Sequence, residues 1–167
     1  MIEIRVATSA DAGLLADLGA RTLRDTFGPD KSDAQASYLV STFSPRVKSG
    51  HLADPQATFL IAEADGTPAA YARLRFGYAP PFVDSTTPVE IARFYADSAW
   101  VGRGVGKALM QGCLQLASNN GCDVAWLDVW EKNQRAIGFY EKWGFTVAGS
   151  QESGWITMSR PVSEPVT

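Results

Sequence analysis

The segment from Pro88 to Trp130 constrains the fold most, because its pattern predicts a strand, a glycine turn, a helix and a second strand. The strands are Pro88–Ala96 and the nearly all-apolar Val124–Trp130, and the helix between them is Val105–Asn119. Such a crossover makes its two strands parallel, and an apolar strand of this kind is typically covered on both faces. The sequence therefore predicts an α/β protein.

The segments on either side predict the remaining elements. Thr8 or Ser9 is expected to cap a helix that starts near Asp11, and Asp65-Gly66 is typical of a hairpin turn. Two further helices are expected, at Ser32–Phe43 and from Pro45 toward Leu52, and a short one at Asn133–Trp143. The other predicted strands are Ile2–Ala7, Thr58–Ala64, Pro68–Gly77, Phe145–Ala148 and Trp155–Met158.

Composition excludes several classes of function. The 167 residues suit one domain, predicted as 1–161 with a frayed tail at 162–167, and a net charge of -3 argues against nucleic-acid binding. No apolar run approaches a membrane span and the N-terminus lacks signal-peptide features, so a cytoplasmic location is expected. With His51 as the only histidine and Cys113 and Cys122 as the only cysteines, neither a disulfide framework nor a metal site is expected.

The glycine turn is the segment that points to chemistry. A helix N-terminus has unpaired amides that attract phosphate, and glycines remove the Cβ atoms that would block a pyrophosphate. Val101 and Ala108 do not fit a Walker-type loop, and the glycine spacing is not that of a dinucleotide-binding turn. The alternative is a plain strand-to-helix turn with glycines for packing. The turn consists of Gly102, Arg103, Gly104, Val105, Gly106 and Lys107.

A second motif follows one strand later, in LDVWEKNQRAIGFYEKWGF. Together with VGRGVGKALM, it resembles the GCN5-related N-acetyltransferase (GNAT) superfamily. Gly104 and Gly106 match the first family signature, whereas Val101 departs from its usual Gln or Arg. The runs EIARFYA, DVWEKN and YLVSTFS are similar to the polyamine (spermidine/spermine-type) branch. Five residues match the second signature, namely Asn133, Phe139, Tyr140, Gly144 and Phe145.

The resemblance implies a fold and a cofactor site. The fold is a mixed, mostly antiparallel sheet with a splayed central parallel pair and helices on both faces. Acetyl-CoA is the co-substrate, no metal is needed, and the backbone of Phe94, Tyr95 and Ala96 pairs with the pantetheine arm. Asn133 contacts the same arm, and the glycine turn holds the pyrophosphate. The acceptor is a primary amine of a small molecule or peptide that binds in a ternary complex, with a polyamine-like amine as one candidate. Domains of this family often form homodimers, but no sequence feature decides the oligomeric state.

Two residues are candidates for proton transfer. Tyr140 is the expected general acid for the leaving thiolate, and the alternative is an ordinary core tyrosine on the apolar stripe of its helix. Glu90 is the expected general base for the ammonium substrate. The alternative for Glu90 is a surface ion pair with Arg93 or with an arginine on a neighbouring strand.

Other residues keep more than one interpretation. Asp128 is interpreted as structural or substrate-facing, and Glu131 as a contact for a cationic substrate or a solvated charge. Neither cysteine has an evident activating base, so an acyl-cysteine route is disfavoured. The alternative to an enzyme is a non-catalytic acyl-CoA-binding sensor or scaffold. The aromatic residues that could line an acceptor pocket, or simply fill a core, are Tyr38, Tyr78, Phe82 and Trp130.

Overall fold

The structure is a computed structural model that describes residues 1–18, 56–96 and 102–163. A 3-10 turn at Ser9–Asp11 leads into helix α1, of which residues 12–18 are described. The other helices are α2 (Val105–Asn119) and α3 (Gln134–Lys142). The strands are β1 (Ile2–Val6), β2 (Ala57–Ala64), β3 (Thr67–Phe76), β4 (Pro88–Ala96), β5 (Val124–Trp130), β6 (Thr146–Gly149) and β7 (Trp155–Pro161).

The strands form one sheet in the order β1-β2-β3-β4-β5-β7-β6. The pairs β1/β2, β5/β7 and β6/β7 are antiparallel, and β4/β5 is parallel. The predicted α/β class, with a mostly antiparallel sheet around a parallel pair, is confirmed. The predicted helices at Ser32–Phe43 and Pro45–Leu52, with Tyr38 and His51, lie outside the described residues, as does Val101.

The bounds of the last two strands differ from the predicted ones. β6 begins at Thr146, one residue later than predicted, because the Phe145 amide donates to the Tyr140 carbonyl at 3.1 Å and so belongs to the end of α3. β7 continues past Met158 to Pro161, because Ser159 and Arg160 pair with Trp126 and Ala125 of β5.

The chain divides into two compact units that share β3, β4 and α2. The first unit comprises Met1–Arg73 and Arg93–Gly112, and the second comprises Leu74–Ala92 and Cys113–Thr167. The core of the first unit contains a buried cluster in which the rings of Phe59 and Tyr71 lie 6.1 Å apart. The remaining members of that cluster are Leu15, Leu18 and Ile61.

In the first unit, α2 packs closely on β1. A Cβ placed on Gly112 would lie 2.9 Å from Cγ2 of Ile4, which is closer than side chains normally approach. Gly112 therefore sets how near the helix comes to the strand. The contact lies at the middle of α2, whose first residues belong to the glycine turn.

A buried carboxylate closes the turn that leads into α1. Asp11 is only 8% exposed and accepts two hydrogen bonds from Arg5, each at 2.9 Å, and one from the Thr8 amide at 2.8 Å. Glu63 on β2 also accepts a hydrogen bond from Arg5. The bidentate bond from Arg5, supported by Thr8, lowers the pKa of Asp11 to about 2.

The second unit is built around the seven-residue ladder between β5 and β7. Asp123, just before β5, binds the loop before β4: its carboxylate accepts from Ser85 Oγ at 2.5 Å, Thr86 N at 2.9 Å and Thr87 N at 3.1 Å. The Asp123 amide in turn donates to the Thr87 carbonyl at 3.1 Å. We call these four residues the Asp123 clamp. The donors, Ser85 foremost, lower the pKa of Asp123 to about 2.

Packing at the C-terminal end continues past the last strand. Val162, the first residue of the predicted tail, is 7% exposed, and its amide donates to the Asp123 carbonyl at 2.9 Å. Packing of the second unit therefore extends one residue beyond Pro161. Within the ranges that the structure describes, no helix is long and apolar enough to cross a bilayer.

Replacement of Asp11 by Asn is expected to lower the free energy of unfolding at pH 7 by about 2 kcal/mol, since the native pKa is about 2 against an ordinary 3.8. Because the folded-state pKa is depressed, this stabilisation is present above pH ~4 and is lost as the pH falls toward 2. Urea denaturation of the wild type and of Asp11→Asn between pH 7 and pH 3 measures the difference in their free energies of unfolding. This difference should become smaller as the pH falls. Asp84→Asn, at an exposed position, is the control, and a pH-independent difference for Asp11→Asn would contradict the assignment.

Candidate active site

The glycine turn lies in the first unit and leads directly into α2. Gly102 and Gly104 both have φ of 81°, a left-handed conformation that favours glycine. The Ala108 amide donates to the Gly104 carbonyl at 3.0 Å, which starts the helical pattern. The amides of Val105, Gly106 and Lys107 precede this bond, at the positions where a helix has no intrahelical acceptor for its donors.

The space around this turn is open rather than packed. A Cβ on Gly102 would meet nothing within 4 Å, and one on Gly104 would meet only Cδ1 of Ile2, at 3.9 Å. Backbone conformation and access, not close packing, therefore account for both glycines. With the exposed Arg103 and Lys107 beside it, the turn is suited to a phosphate-bearing ligand.

Strand β4 precedes this turn in the chain. Its residues Phe94, Tyr95 and Ala96 are half-buried, and the Tyr95 ring lies 5.6 Å from that of Tyr71 in the core of the first unit. At its other end β4 pairs with β5 through three residues only, Pro88–Glu90 with Val124–Trp126. The parallel ladder thus ends at Glu90, although β4 continues to Ala96.

Glu90 is therefore the last residue of the parallel ladder. Its neighbours Val89 and Ile91 are buried on one face of the sheet, so Glu90 lies on the opposite face. The Glu90 side chain is 18% exposed, and its Oε2 is 3.7 Å from Nη1 of Arg75 on β3. The ion pair with a neighbouring-strand arginine that the sequence allowed is thus present, with Arg75 as the partner.

Helix α3 carries two predicted site residues. The Asn133 side chain caps the helix, since its Oδ1 accepts from the Ala136 amide at 3.2 Å. Tyr140 is 8% exposed, and its ring is packed edge-on by Phe139 at 5.6 Å and by Phe145 at 5.8 Å. Both residues belong to the second unit, and the glycine turn belongs to the first.

Sequence reasoning missed Arg160, which supports the end of α3. Arg160 is 3% exposed; its Nη1 donates to the Trp143 carbonyl and its Nε to the Pro161 carbonyl at 2.9 Å. A buried cation at a helix C-terminus binds carbonyls that lack intrahelical donors. The only sequence signal for this role was the presence of an arginine within the closing strand, MSRPV. The residue that this arginine binds, Trp143, lies 17 residues earlier in the chain. Arg160 therefore fixes the helix on which Tyr140 lies.

The other acidic and aromatic candidates lie around β5 and β7. Asp128 is exposed and accepts from Thr157 Oγ1 at 2.5 Å and Gln151 Nε2 at 3.1 Å. The Trp130 ring is 5.5 Å from that of Trp155, whereas Glu131 is exposed in the turn after β5.

Of the loop aromatics predicted for an acceptor pocket, Tyr78 is 52% exposed and Phe82 is 41% exposed. Phe82 covers Gly149, since a Cβ there would lie 2.7 Å from its Cδ2. Phe82 thus has a packing role on β6 as well as an exposed edge.

The surroundings of both cysteines raise the pKa of the thiol. Burial raises the pKa of Cys113, which is 1% exposed. Partial burial and the nearby Asp123 raise the pKa of Cys122. Both thiols are therefore protonated at neutral pH, and a thiolate is what acyl-cysteine catalysis requires.

Comparison with known proteins gives the family. The model of the acetyltransferase (GNAT) family matches residues 20–145. An uncharacterized N-acetyltransferase of Mycobacterium bovis is 33% identical over 142 residues, which cover 84% of this chain and 86% of that protein. A spermine/spermidine N(1)-acetyltransferase of Bacillus subtilis is 34% identical over 62 residues, which cover 36% of this chain and 41% of that protein.

A solved structure has the same fold. The PaiA N-acetyltransferase of Thermoplasma acidophilum, crystallised in complex with coenzyme A, superposes with a TM-score of 0.82 at 21% identity. The superposition covers 96% of this chain and 99% of that one. The chain therefore belongs to the GNAT family of acetyltransferases, and it is an acyl-CoA-dependent N-acetyltransferase that uses acetyl-CoA as its co-substrate.

Proposed function

We propose that the protein transfers the acetyl group of acetyl-CoA directly to a primary amine of a small molecule or peptide while both substrates are bound. The observation that carries this proposal is the course of β4. The strand places Glu90 where its parallel ladder ends and then continues through Phe94–Ala96 toward the glycine turn. A proton acceptor and a phosphate-binding turn thus lie on one continuous segment.

The glycine turn, the end of β4 and Asn133 are the residues proposed to hold acetyl-CoA. The amides of the turn from Gly102 to Lys107 hold the pyrophosphate, and the open space over Gly102 supports this assignment. The backbone of Phe94, Tyr95 and Ala96 pairs with the pantetheine arm. A backbone amide on this strand polarises the thioester carbonyl as charge develops on its oxygen. Because Oδ1 of Asn133 accepts the capping bond, its amide nitrogen is the donor left for the arm.

Glu90 and Tyr140 handle the protons. Glu90 takes a proton from the substrate ammonium, directly or through water, and the neutral nitrogen attacks the acetyl carbonyl carbon. The new C–N bond forms, the C–S bond breaks, and the nitrogen gives up a second proton. Tyr140 donates its phenolic proton to the leaving thiolate and is reprotonated from solvent. Transfer from an ammonium substrate therefore releases one net proton.

A polyamine-like acceptor is the finer form of this proposal. It is supported by the runs EIARFYA and DVWEKN and by the partial similarity to the spermine/spermidine acetyltransferase of Bacillus subtilis. A homodimer, which domains of this family often form, is compatible with the terminal position of β6 and with Val147 on it, which is 64% exposed.

Gly102→Ala is expected to weaken coenzyme A binding about tenfold, because the new methyl group occupies the space above the turn and disfavours φ of 81°. Isothermal titration calorimetry with coenzyme A measures the effect. Gly121→Ala is a matched control, since Gly121 has φ of 72° and equally open surroundings but follows α2 at its other end. Equal dissociation constants for the two variants would remove the turn from the site.

Tyr140→Phe is expected to lower kcat by about 100-fold or more, because the leaving thiolate then lacks its proton donor. The dissociation constant of acetyl-CoA should change little, since the ring and its packing against Phe139 and Phe145 are kept. Steady-state kinetics and calorimetry measure the two effects. Tyr71→Phe, which removes another buried hydroxyl, is the control, and an unchanged kcat for Tyr140→Phe would exclude the general-acid role.

Glu90→Gln is expected to abolish the acidic limb of the pH–rate profile, because the group whose deprotonation produces that limb is gone. The profile of kcat/KM for a fixed amine between pH 5 and pH 9 measures it. Glu131→Gln, at an exposed position in the turn after β5, should leave the limb in place. A limb that persists in Glu90→Gln would assign the base to another group.

A further inference from the structure

Asp128 is an exposed carboxylate in the middle of a central strand. Leu127 and Val129, on either side of it, are buried on the opposite face, at 1% and 5% exposure. Asp128 therefore shares its face with Trp126 and Trp130, in keeping with the alternation of a strand. A charge at this position is unusual in a strand that is otherwise apolar.

The partners of Asp128 are neutral. Thr157 donates to Oδ1 and Gln151 to Oδ2, and Gln151 Oε1 in turn accepts from the Tyr78 hydroxyl at 3.4 Å. In the part of the chain that the structure describes, no lysine or arginine forms an ion pair with Asp128. Each carboxylate oxygen can accept a further hydrogen bond, and no cation of the described residues compensates the charge.

Aromatic rings flank the carboxylate on both sides along the strand. Toward the start of β5, the Tyr78 and Trp126 rings lie 5.8 Å apart, and the Trp126 Nε1 donates to the Tyr78 carbonyl at 2.8 Å. Toward its end, Trp130 packs edge-on against Trp155. A carboxylate among aromatic rings attracts ammonium groups, by charge and by the ring quadrupole, and disfavours anions.

A structural role accounts for the two acceptor oxygens of Asp128 but leaves its charge unneutralised. The two hydrogen bonds link β5 to β7 and to the turn after β6, and each uses a different carboxylate oxygen. Both donors are neutral, so the exposed negative charge has no counterion in the part of the chain that the structure describes. A ligand of opposite charge gives it a function.

The position of Asp128 relative to Glu90 sets the length of the ligand. Glu90 pairs with Trp126, so the two lie on the same face of adjacent parallel strands. Trp126 lies about 5 Å across from Glu90 on the neighbouring strand. Asp128 is two residues further along β5, about 7 Å beyond Trp126. The two carboxylates are thus separated by the span of a short alkyl chain.

We propose that Asp128, with Tyr78 and Trp130, binds a second cationic group of the acceptor while Glu90 receives the proton of the reacting amine. This inference rests on the proposed amine acetylation and makes its acceptor a diamine or longer polyamine. Asp128 is then a specificity determinant that touches the non-reacting end of the substrate. Acceptors with a carboxylate at that end are disfavoured by the same charge.

The test compares acetylation of putrescine, n-butylamine and gamma-aminobutyric acid, which share one chain length and differ at the second end. We expect the wild-type kcat/KM to favour putrescine over n-butylamine about tenfold or more, and to be lowest for the amino acid. Asp128→Asn keeps the size of the side chain and an acceptor for Thr157, and it should bring the putrescine to n-butylamine ratio close to one. The change should appear mainly in KM for the diamine.

Asp84→Asn removes the same charge from an exposed position in the loop before β4 and is expected to keep the wild-type ratio. The inference is overturned if Asp128→Asn has the wild-type ratio of kcat/KM for putrescine to that for n-butylamine. An equal fall of kcat/KM for both amines gives this result, because a loss of folded protein leaves the ratio unchanged. Absence of acetylation for every amine would instead count against the proposed function. The two failures are therefore distinguishable.

Discussion

The short parallel ladder between β4 and β5 is the constraint on which the rest of the proposed site depends. Three residue pairs hold the two strands in register, and Glu90 is the last residue of β4 within them. Beyond that point β4 continues as a strand toward the glycine turn. Because the register places Glu90 beside Trp126, it also determines that Asp128 follows on the same face. One alignment of two strands thus positions the proposed base and the proposed acceptor subsite.

Elements with strong local signals could be predicted from the sequence to the residue. Val105–Asn119 and Val124–Trp130 have the predicted bounds, because the glycine turn starts the helix, Asn120-Gly121 ends it, and an unbroken apolar run fills the strand. The limits of β6 and β7 could not be predicted in this way. Phe145 looks like a strand residue, but a backbone bond to Tyr140 makes it part of the helix end. Arg160 looks like a strand terminator, but it lies buried within the ladder.

The sequence predicts the residues of the proposed site but not their interactions. The glycine turn, Asn133 and Tyr140 follow from motifs with fixed spacing along the chain. The pairing of Glu90 with Arg75, of Asp128 with Gln151 and of Arg160 with Trp143 depends on the register of strands that are distant in sequence. No local periodicity encodes that register, since it is set by tertiary packing. Side-chain environment, which decides what a carboxylate does, therefore required the structure.

The Asp123 clamp has a consequence for the conditions under which the protein keeps this alignment. Its carboxylate is held by a hydroxyl and two backbone amides, all neutral donors, and not by a cation. Dissolved ions screen attraction between exposed charges, such as that of the Met1 ammonium and Asp65 at the far edge of the sheet, far more than short contacts of this kind. Concentrated salt therefore weakens the ion pair between Met1 and Asp65, while the Asp123 clamp keeps β4 and β5 in register.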